Sequence, residues 1–311
     1  MDDPDDIAAA TPERTPDTTE RRPIGHHPVP VPKKPSIQPP PGACDAHFHM
    51  LGGPAEFPLD DDRPEDPAPD MGFDDWMALF HEHLDILGIT RGVVVQSMIH
   101  GTDNAVTAET LRRLGPEFRG VALVPDEVSA GTLDRLAHAR IKGVRLNYVH
   151  GGVLSWAGAQ NLAPMLADRD MHVEMLLHAH EHMGEVADTI DRMAVPVVFD
   201  HMGWPDLAAG PDEPGFAALR RLLEDGRAWV KLSGVYRFCA DPYDQADEMI
   251  AALVAANPER CLWGSDWPHI LLDGLPMPDA GHLLDAFYRA VPRAEDRQRI
   301  LVDNPAKLYG F

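Results

Sequence analysis

From Ala43 onward, apolar positions fall into short β-type runs separated by stretches of helical spacing, and the two patterns alternate eight times. The runs are 43–49, 92–97, 119–124, 142–147, 172–177, 195–201, 229–233 and 261–266. The helical period covers residues near 74–88, 104–115, 129–140, 157–169, 180–193, 214–225, 243–256 and 279–290, many of them closed by Gly, Pro or a basic residue. A strand that reads apolar throughout and is followed by an amphipathic helix is what a parallel sheet covered by helices requires. Eight such units over 43–311 predict an α/β fold, a (β/α)8 TIM barrel. The competing arrangement is an open doubly wound sheet, but no Gly-rich dinucleotide or P-loop fingerprint follows the first run.

The alternation is interrupted in two places. Residues 1–42 are rich in Pro, Asp, Thr and Arg and hold too few large apolar groups to offset the entropy of ordering. They are expected to form a disordered or extended N-terminal tail, drawn along the domain where Pro28, Pro30, Pro32 and Pro35 recur, with His26 and His27 solvated. The second interruption, Leu51 to Met71, carries the acidic run from Asp60 to Glu65 and is too long for a simple connector. It either covers the barrel mouth or forms a flexible acidic insertion.

Composition narrows the class of partner. A formal charge of −23, from 50 acidic against 27 basic residues, excludes a nucleic-acid or anionic-membrane surface. A small anionic substrate would need arginines that reverse the field locally. Three cysteines, Cys44, Cys239 and Cys261, without ligand-like spacing indicate neither a disulfide framework nor a zinc ribbon and suit a reducing compartment. The acidic start lacks the features of a secretory signal and no apolar run would span a bilayer, so a cytoplasmic protein is expected. No feature of the sequence speaks to oligomeric state.

The candidate chemistry centres on Cys44-Asp45-Ala46-His47-Phe48-His49. Two histidines at alternate positions of a strand project from one face, where they either hold a divalent metal or polarise a substrate oxygen. In such a barrel reactive groups stand where strands end. The sixth run ends in Asp200-His201-Met202-Gly203 and the eighth in Gly264-Ser265-Asp266-Trp267-Pro268-His269, so His47, His49, His201 and Asp266 are expected to converge on one mouth. Each has an ordinary reading too, as a histidine bonded to backbone or an aspartate capping a turn. Arg145, inside an apolar strand, and Arg237, just past the seventh, are placed to clamp a carboxylate, although Arg237 has a surface alternative in Asp241. Asn147 shares the face of Arg145, and His269, Tyr148, Gln96 and Ser97 are further candidates for substrate contact.

Together, the H-x-H, D-H-M-G and G-S-D-W-P-H motifs resemble the amidohydrolase superfamily. Gln96, the run from Gly101 to Asn104, the run from Gly143 to Asn147 and the run from Lys231 to Gly234 are similar to its branch of 2-pyrone-4,6-dicarboxylate lactonases, with sulfomuconolactone hydrolase and galactarolactone isomerase. The resemblance implies a lactone hydrolase acting on a carboxylate-bearing cyclic ester, with Asp266 as general base and the three histidines activating the carbonyl. In the superfamily at large the first-strand histidines bind metal with others from strands five and six, whereas this branch is understood to work without one. No cofactor is therefore expected; if a zinc or manganese ion is bound, His47, His49, His201 and Asp266 would hold it. On the fifth strand either Glu174 or His178 would be the polar group. Where the branch has further polar or basic groups, this chain reads His150-Gly151-Gly152, Trp204 and Leu271, which points to a substrate with one carboxylate or a larger hydrophobic body. Lactone isomerisation, metal-dependent decarboxylation and a catalytically silent binding role are the alternatives, and retention of all four polar mouth residues argues against the last.

Overall fold

In the computed structural model, which describes Val29 and residues 31–311, eight parallel strands follow one another around a single sheet in chain order. They are β1 (Cys44–Phe48), β2 (Arg91–Val95), β3 (Phe118–Ala122), β4 (Ile141–Asn147), β5 (His172–Leu176), β6 (Val197–Phe199), β7 (Ala228–Leu232) and β8 (Cys261–Trp263). Between them run α1 (Phe73–Leu87), α2 (Ala105–Leu114), α3 (Ala130–His138), α4 (Trp156–Ala167), α5 (Ala179–Ile190), α6 (Pro214–Glu224) and α7 (Asp247–Ala256), with α8 (Ala280–Ala290) after the last strand. The chain thus adopts the predicted barrel. Its ends meet through backbone bonds from Asp266 N to His47 O at 2.8 Å and from His49 N to Trp267 O at 2.7 Å. The seam is built from candidate site residues.

Several strands stop short of the apolar runs that predict them. His201 and Asp266 have φ of 48° and 63°, in the left-handed region, so the chain turns there instead of running on as regular strand. Pro196, which has no N–H to donate, precedes the start of β6. In β1 the register shifts between Asp45 and Phe48. Ala46 remains in the inner apolar cluster, Phe48 turns outward to stack on Phe80 of α1 at 4.1 Å, and His47 faces inward. The bulge therefore brings an imidazole inside directly after an alanine.

The barrel floor is hydrocarbon: Cys44, Ala46, Val93, Val95, Val121, Val198, Trp229 and Leu262 meet Tyr309. Tyr309 comes from the short terminal helix α10 (Asn304–Tyr309), reached through α9 (Ala294–Gln298), and Asn304 ties it down by donating to the carbonyls of Cys261 and Pro258 at 2.7 and 2.8 Å. The Leu51–Met71 insertion is anchored rather than loose. Asp60 N donates to Ile99 O at 2.9 Å, His100 Nδ1 lies 2.8 Å from Pro58 O, and the buried Glu65 accepts from Leu271 N at 3.1 Å. Of the expected tail, residues 1–28 and Pro30, with His26 and His27, lie outside the described residues. Its last part is an extended strap whose Lys33 N and Ser36 N donate to Asp279 and Asp285 beside and within α8, at 3.1 and 2.7 Å. Among the described residues no helix is long and apolar enough to cross a membrane.

Candidate active site

Two glycines let the site close up. A Cβ on Gly264 would stand 2.6 Å from His47 Cβ, so only glycine allows the β8 exit to approach β1. Gly234, at φ 71°, sits where a Cβ would meet the His201 ring at 2.9 Å. Asp45 then staples the seam, accepting from His47 N at 3.1 Å, Ser265 N at 2.9 Å and Ser265 Oγ at 2.5 Å.

His47, His49, His201 and Asp266 do converge, and all four are buried. Asp266 Oδ1 lies 3.4 Å from His49 Nε2 and 3.6 Å from His47 Nε2. Its other oxygen, Oδ2, accepts from Tyr236 Oη at 2.6 Å and from Arg237 Nη2 and Nε at 2.9 and 3.2 Å, with His201 Nε2 at 3.7 Å. Oδ2 is saturated, whereas Oδ1 has no hydrogen-bond partner. Burial alone would push this carboxyl up, but His201, Arg237, His49 and His47 together hold it well below the usual carboxylate range. Burial also drives two of the imidazoles towards neutrality, with His47 well below its ordinary value and His201 lowered to about 4.

Beneath this group lies a charged layer spanning four strands. Lys231 Nζ sits 2.5 Å from Glu174 Oε2, 3.3 Å from Asp200 Oδ1 and 3.1 Å from His47 Nδ1. Asp200 also approaches His47 Nδ1 at 3.2 Å and accepts from Arg145 Nε at 3.0 Å. Despite complete burial, Asp200 is held well below its ordinary value by Lys231, His47 and Arg145. Of the two fifth-strand candidates, Glu174 is therefore the inward one. His178 caps α5 and turns to Glu181 instead.

The remaining candidates separate cleanly. Arg145, Asn147 and Arg237 line a small inner chamber of about 20 Å³, room for roughly one water, together with His49, His201 and Asp266. Arg237 meets Asp266 rather than Asp241, whose partner is His282 at 3.2 Å. His269, Tyr148, Gln96 and Ser97 are not among the lining residues. The Gln96 amide is consumed by Gly101 O, Asp103 O and Thr107 Oγ1, and Ser97 accepts from Ile99 N. Tyr148 donates to Glu185 at 2.7 Å, and His269 packs edge-on against Tyr236 at 5.2 Å. His150, Trp204 and Leu271, the positions that depart from the resembled branch, all line the chamber. Beyond Trp204 and Arg237 it adjoins a wide outer groove of about 760 Å³. Sequence reasoning missed Tyr236 and Lys231 as site residues; a lysine inside the otherwise apolar run Ala228–Leu232 was the available signal for the second.

The donor set also suits a divalent metal. Ligating atoms of His47, His201 and Asp266 lie within 4.8 Å of one another, and His47 Nε2 and Asp266 Oδ1 are both buried without partners. His49 Nδ1, 2.8 Å from Val95 O, must give its proton to that carbonyl, so its Nε2 edge offers Asp266 either a second proton or a lone pair for a cation.

Comparison with known proteins places this geometry. The amidohydrolase family model matches residues 44–311. The chain belongs to the amidohydrolase family. This amidohydrolase is 36% identical over 278 residues to 4-sulfomuconolactone hydrolase of Rhizobium radiobacter, a match covering 87% of this chain and 91% of that one. It is 34% identical over 291 residues to 2-pyrone-4,6-dicarboxylate hydrolase of Comamonas testosteroni, covering 89% and 93%. Among solved structures, a probable 2-pyrone-4,6-dicarboxylic acid hydrolase from Acinetobacter baumannii with citric acid bound aligns with a TM-score of 0.75 at 25% identity, over 87% of this chain and 100% of that one.

Proposed function

We propose that this amidohydrolase is a lactone hydrolase that opens a cyclic ester bearing a carboxylate, with Asp266 as general base and His47, His49 and His201 facing the carbonyl oxygen. The observation that carries this reading is the division of labour within Asp266. Oδ2 is held by Tyr236 and Arg237, while Oδ1 is unpartnered and faces the imidazole edges. A water beside Oδ1 gives up its proton there as its oxygen attacks the lactone carbonyl. The oxyanion that forms meets donors already in place, each contributing about 3–4 kcal/mol to the transition state. Asp266, now protonated, returns the proton to the departing ring oxygen.

The charges nearby support a form that needs no metal. Three carboxylates, Asp266, Asp200 and Glu174, already face three cations, Arg237, Arg145 and Lys231, so little negative charge is left over to hold a dication. With Nδ1 given to Val95 O, the Nε2 edge of His49 is a donor only in the doubly protonated ring. A zinc or manganese ion, where bound, would be held by His47, His49, His201 and Asp266 and would supply Lewis-acid polarisation of the carbonyl. Arg145 and Arg237 take the substrate carboxylate, and Trp204 and Leu271 favour an apolar body beside it. Relatives named for hydrolysing a sulfomuconolactone and a pyrone dicarboxylate, and a neighbour holding citric acid, support an anionic substrate. We place the protein in the cytoplasm, where its free thiols Cys44, Cys239 and Cys261 stay reduced.

The test is a screen of carboxylated lactones with mass analysis of products. Hydrolysis adds one water to the substrate; an unchanged mass would identify an isomerase instead, and loss of carbon dioxide a decarboxylase. Activity that disappears on chelation and returns with added metal would overturn the metal-free form.

A further inference from the structure

A second group of metal-type donors stands on the rim, outside the chamber. The chain enters helix α5 as His178-Ala179-His180-Glu181-His182, with His178 at the N-cap, and the steps from His178 to Glu181 and His182 are three and four residues, the spacing that brings side chains together over the first turn. Ligating atoms of His178, Glu181 and His182 lie within 4.8 Å of one another. Glu181 Oε2 is 3.2 Å from His178 Nδ1 and 4.0 Å from His182 Nε2, and Glu181 Oε1 is 3.4 Å from His180 Nε2. The His182 ring is anchored from behind, its Nδ1 lying 3.0 Å from the carbonyl O and 3.2 Å from the backbone N of His178. That anchoring turns Nε2 towards the carboxylate, as the outer contacts of metal-binding histidines do.

Ordinary helix pairing would account for one histidine beside Glu181. It does not account for three imidazoles around one exposed carboxylate, one of them, His182, held in orientation from behind. His178, His180 and Glu181 also line the outer groove, so the face of the cluster is open to an incoming ion and to further ligands. His178 is not among the residues lining the inner chamber, which separates this group from the mouth histidines.

We propose that His178, Glu181 and His182 bind a zinc-class dication at the groove rim, with His180 positioned to join them. Imidazole nitrogens with a single carboxylate select zinc, nickel or copper over calcium or magnesium. The bound ion would place a double positive charge beside the approach to the mouth of a chain whose formal charge is −23.

Zinc titration of the chelator-treated full chain, followed by calorimetry at neutral pH, tests this directly. Wild-type protein is expected to bind zinc at micromolar concentration, and the double variant Glu181→Gln/His182→Gln to bind it at least about tenfold more weakly with an unchanged circular dichroism spectrum. Should that variant not fold, His178→Gln alone is expected to give the same weakening. Asp266→Asn, which alters only the mouth, is expected to leave rim binding in place. Equal binding by wild type and rim variants, or binding lost with Asp266→Asn and kept in the rim variants, would overturn the proposal.

Discussion

The lower and upper halves of the barrel interior are made by the same strands, yet one is hydrocarbon and the other is charged. β7 supplies Trp229 to the floor and Lys231 to the layer above; β6 leads from Val198 to Asp200; β1 passes from Ala46 to His47. Both halves are equally buried. What differs is compensation: the floor needs only close packing, whereas above it every carboxylate must find a cation or donor. One fold thereby separates the part that contributes stability outright from the part that holds charge ready for chemistry.

The largest effect should come from the top of the upper half. Asp266→Asn is expected to cut turnover of an accepted lactone by about 10²–10⁴-fold in protein that still folds; undiminished turnover would remove the general-base role. One layer down, Lys231→Met leaves Glu174 and Asp200 without their shared cation and should destabilise the fold by about 3–5 kcal/mol in urea unfolding. A cost below about 1 kcal/mol would show that the layer is not held as ion pairs. In the floor, Leu262→Ala should cost about 2–5 kcal/mol while kcat of the folded enzyme stays near wild type. A large loss of kcat there would dissolve the distinction between the halves.

Acid should probe the upper half selectively. Burial lowers His201 to about 4 and His269 to about 3, against an ordinary 6.5. A histidine neutral in the fold but free to protonate when unfolded contributes stability that is complete above its unfolded value and is lost as pH falls towards its folded one. For His201 this amounts to about 3 kcal/mol between about pH 6.5 and 4. Glu65, raised to about 7 chiefly by burial, acts in the opposite sense and partly offsets the loss, since its contribution disappears as pH rises through 7. The melting temperature should therefore fall as pH drops from 6.5 to 4; a flat or rising profile would mean the imidazoles are already charged. The smallest expected change is in substrate selection. Arg145→Met should raise KM for a carboxylated lactone about 10- to 150-fold, equivalent to about 1.5–3 kcal/mol, but hardly affect its methyl ester, and equal shifts for both would end the carboxylate assignment.

Much of this was legible along the chain because it depends on local periodicity. Alternation places His47 with His49 and Arg145 with Asn147, and the rule that chemistry gathers where strands end picks out His201 and Asp266. The pairings were not legible. Arg145 and Arg237 both looked placed for a substrate carboxylate, with Asp241 the alternative for the second, yet one bonds Asp200 just past β6 and the other reaches across to Asp266. Gln96 and Ser97 lie at the expected strand end but are spent on backbone and Thr107. No spacing within a segment records which strand closes against which, or how far apart two loop side chains finally stand.

By itself, then, the sequence determined the number and order of strands and helices, the acidic surface, and the residue types available at the mouth, since hydrophobic period and composition are properties of the chain alone. Tertiary structure decided which oxygen of Asp266 is left free, that Lys231 lies under His47, and that the chamber adjoins a wider groove at Trp204. These depend on closing β8 against β1, which brings residues more than two hundred positions apart to within hydrogen-bonding distance. Only then do burial and neighbouring charge set the chemistry of each group.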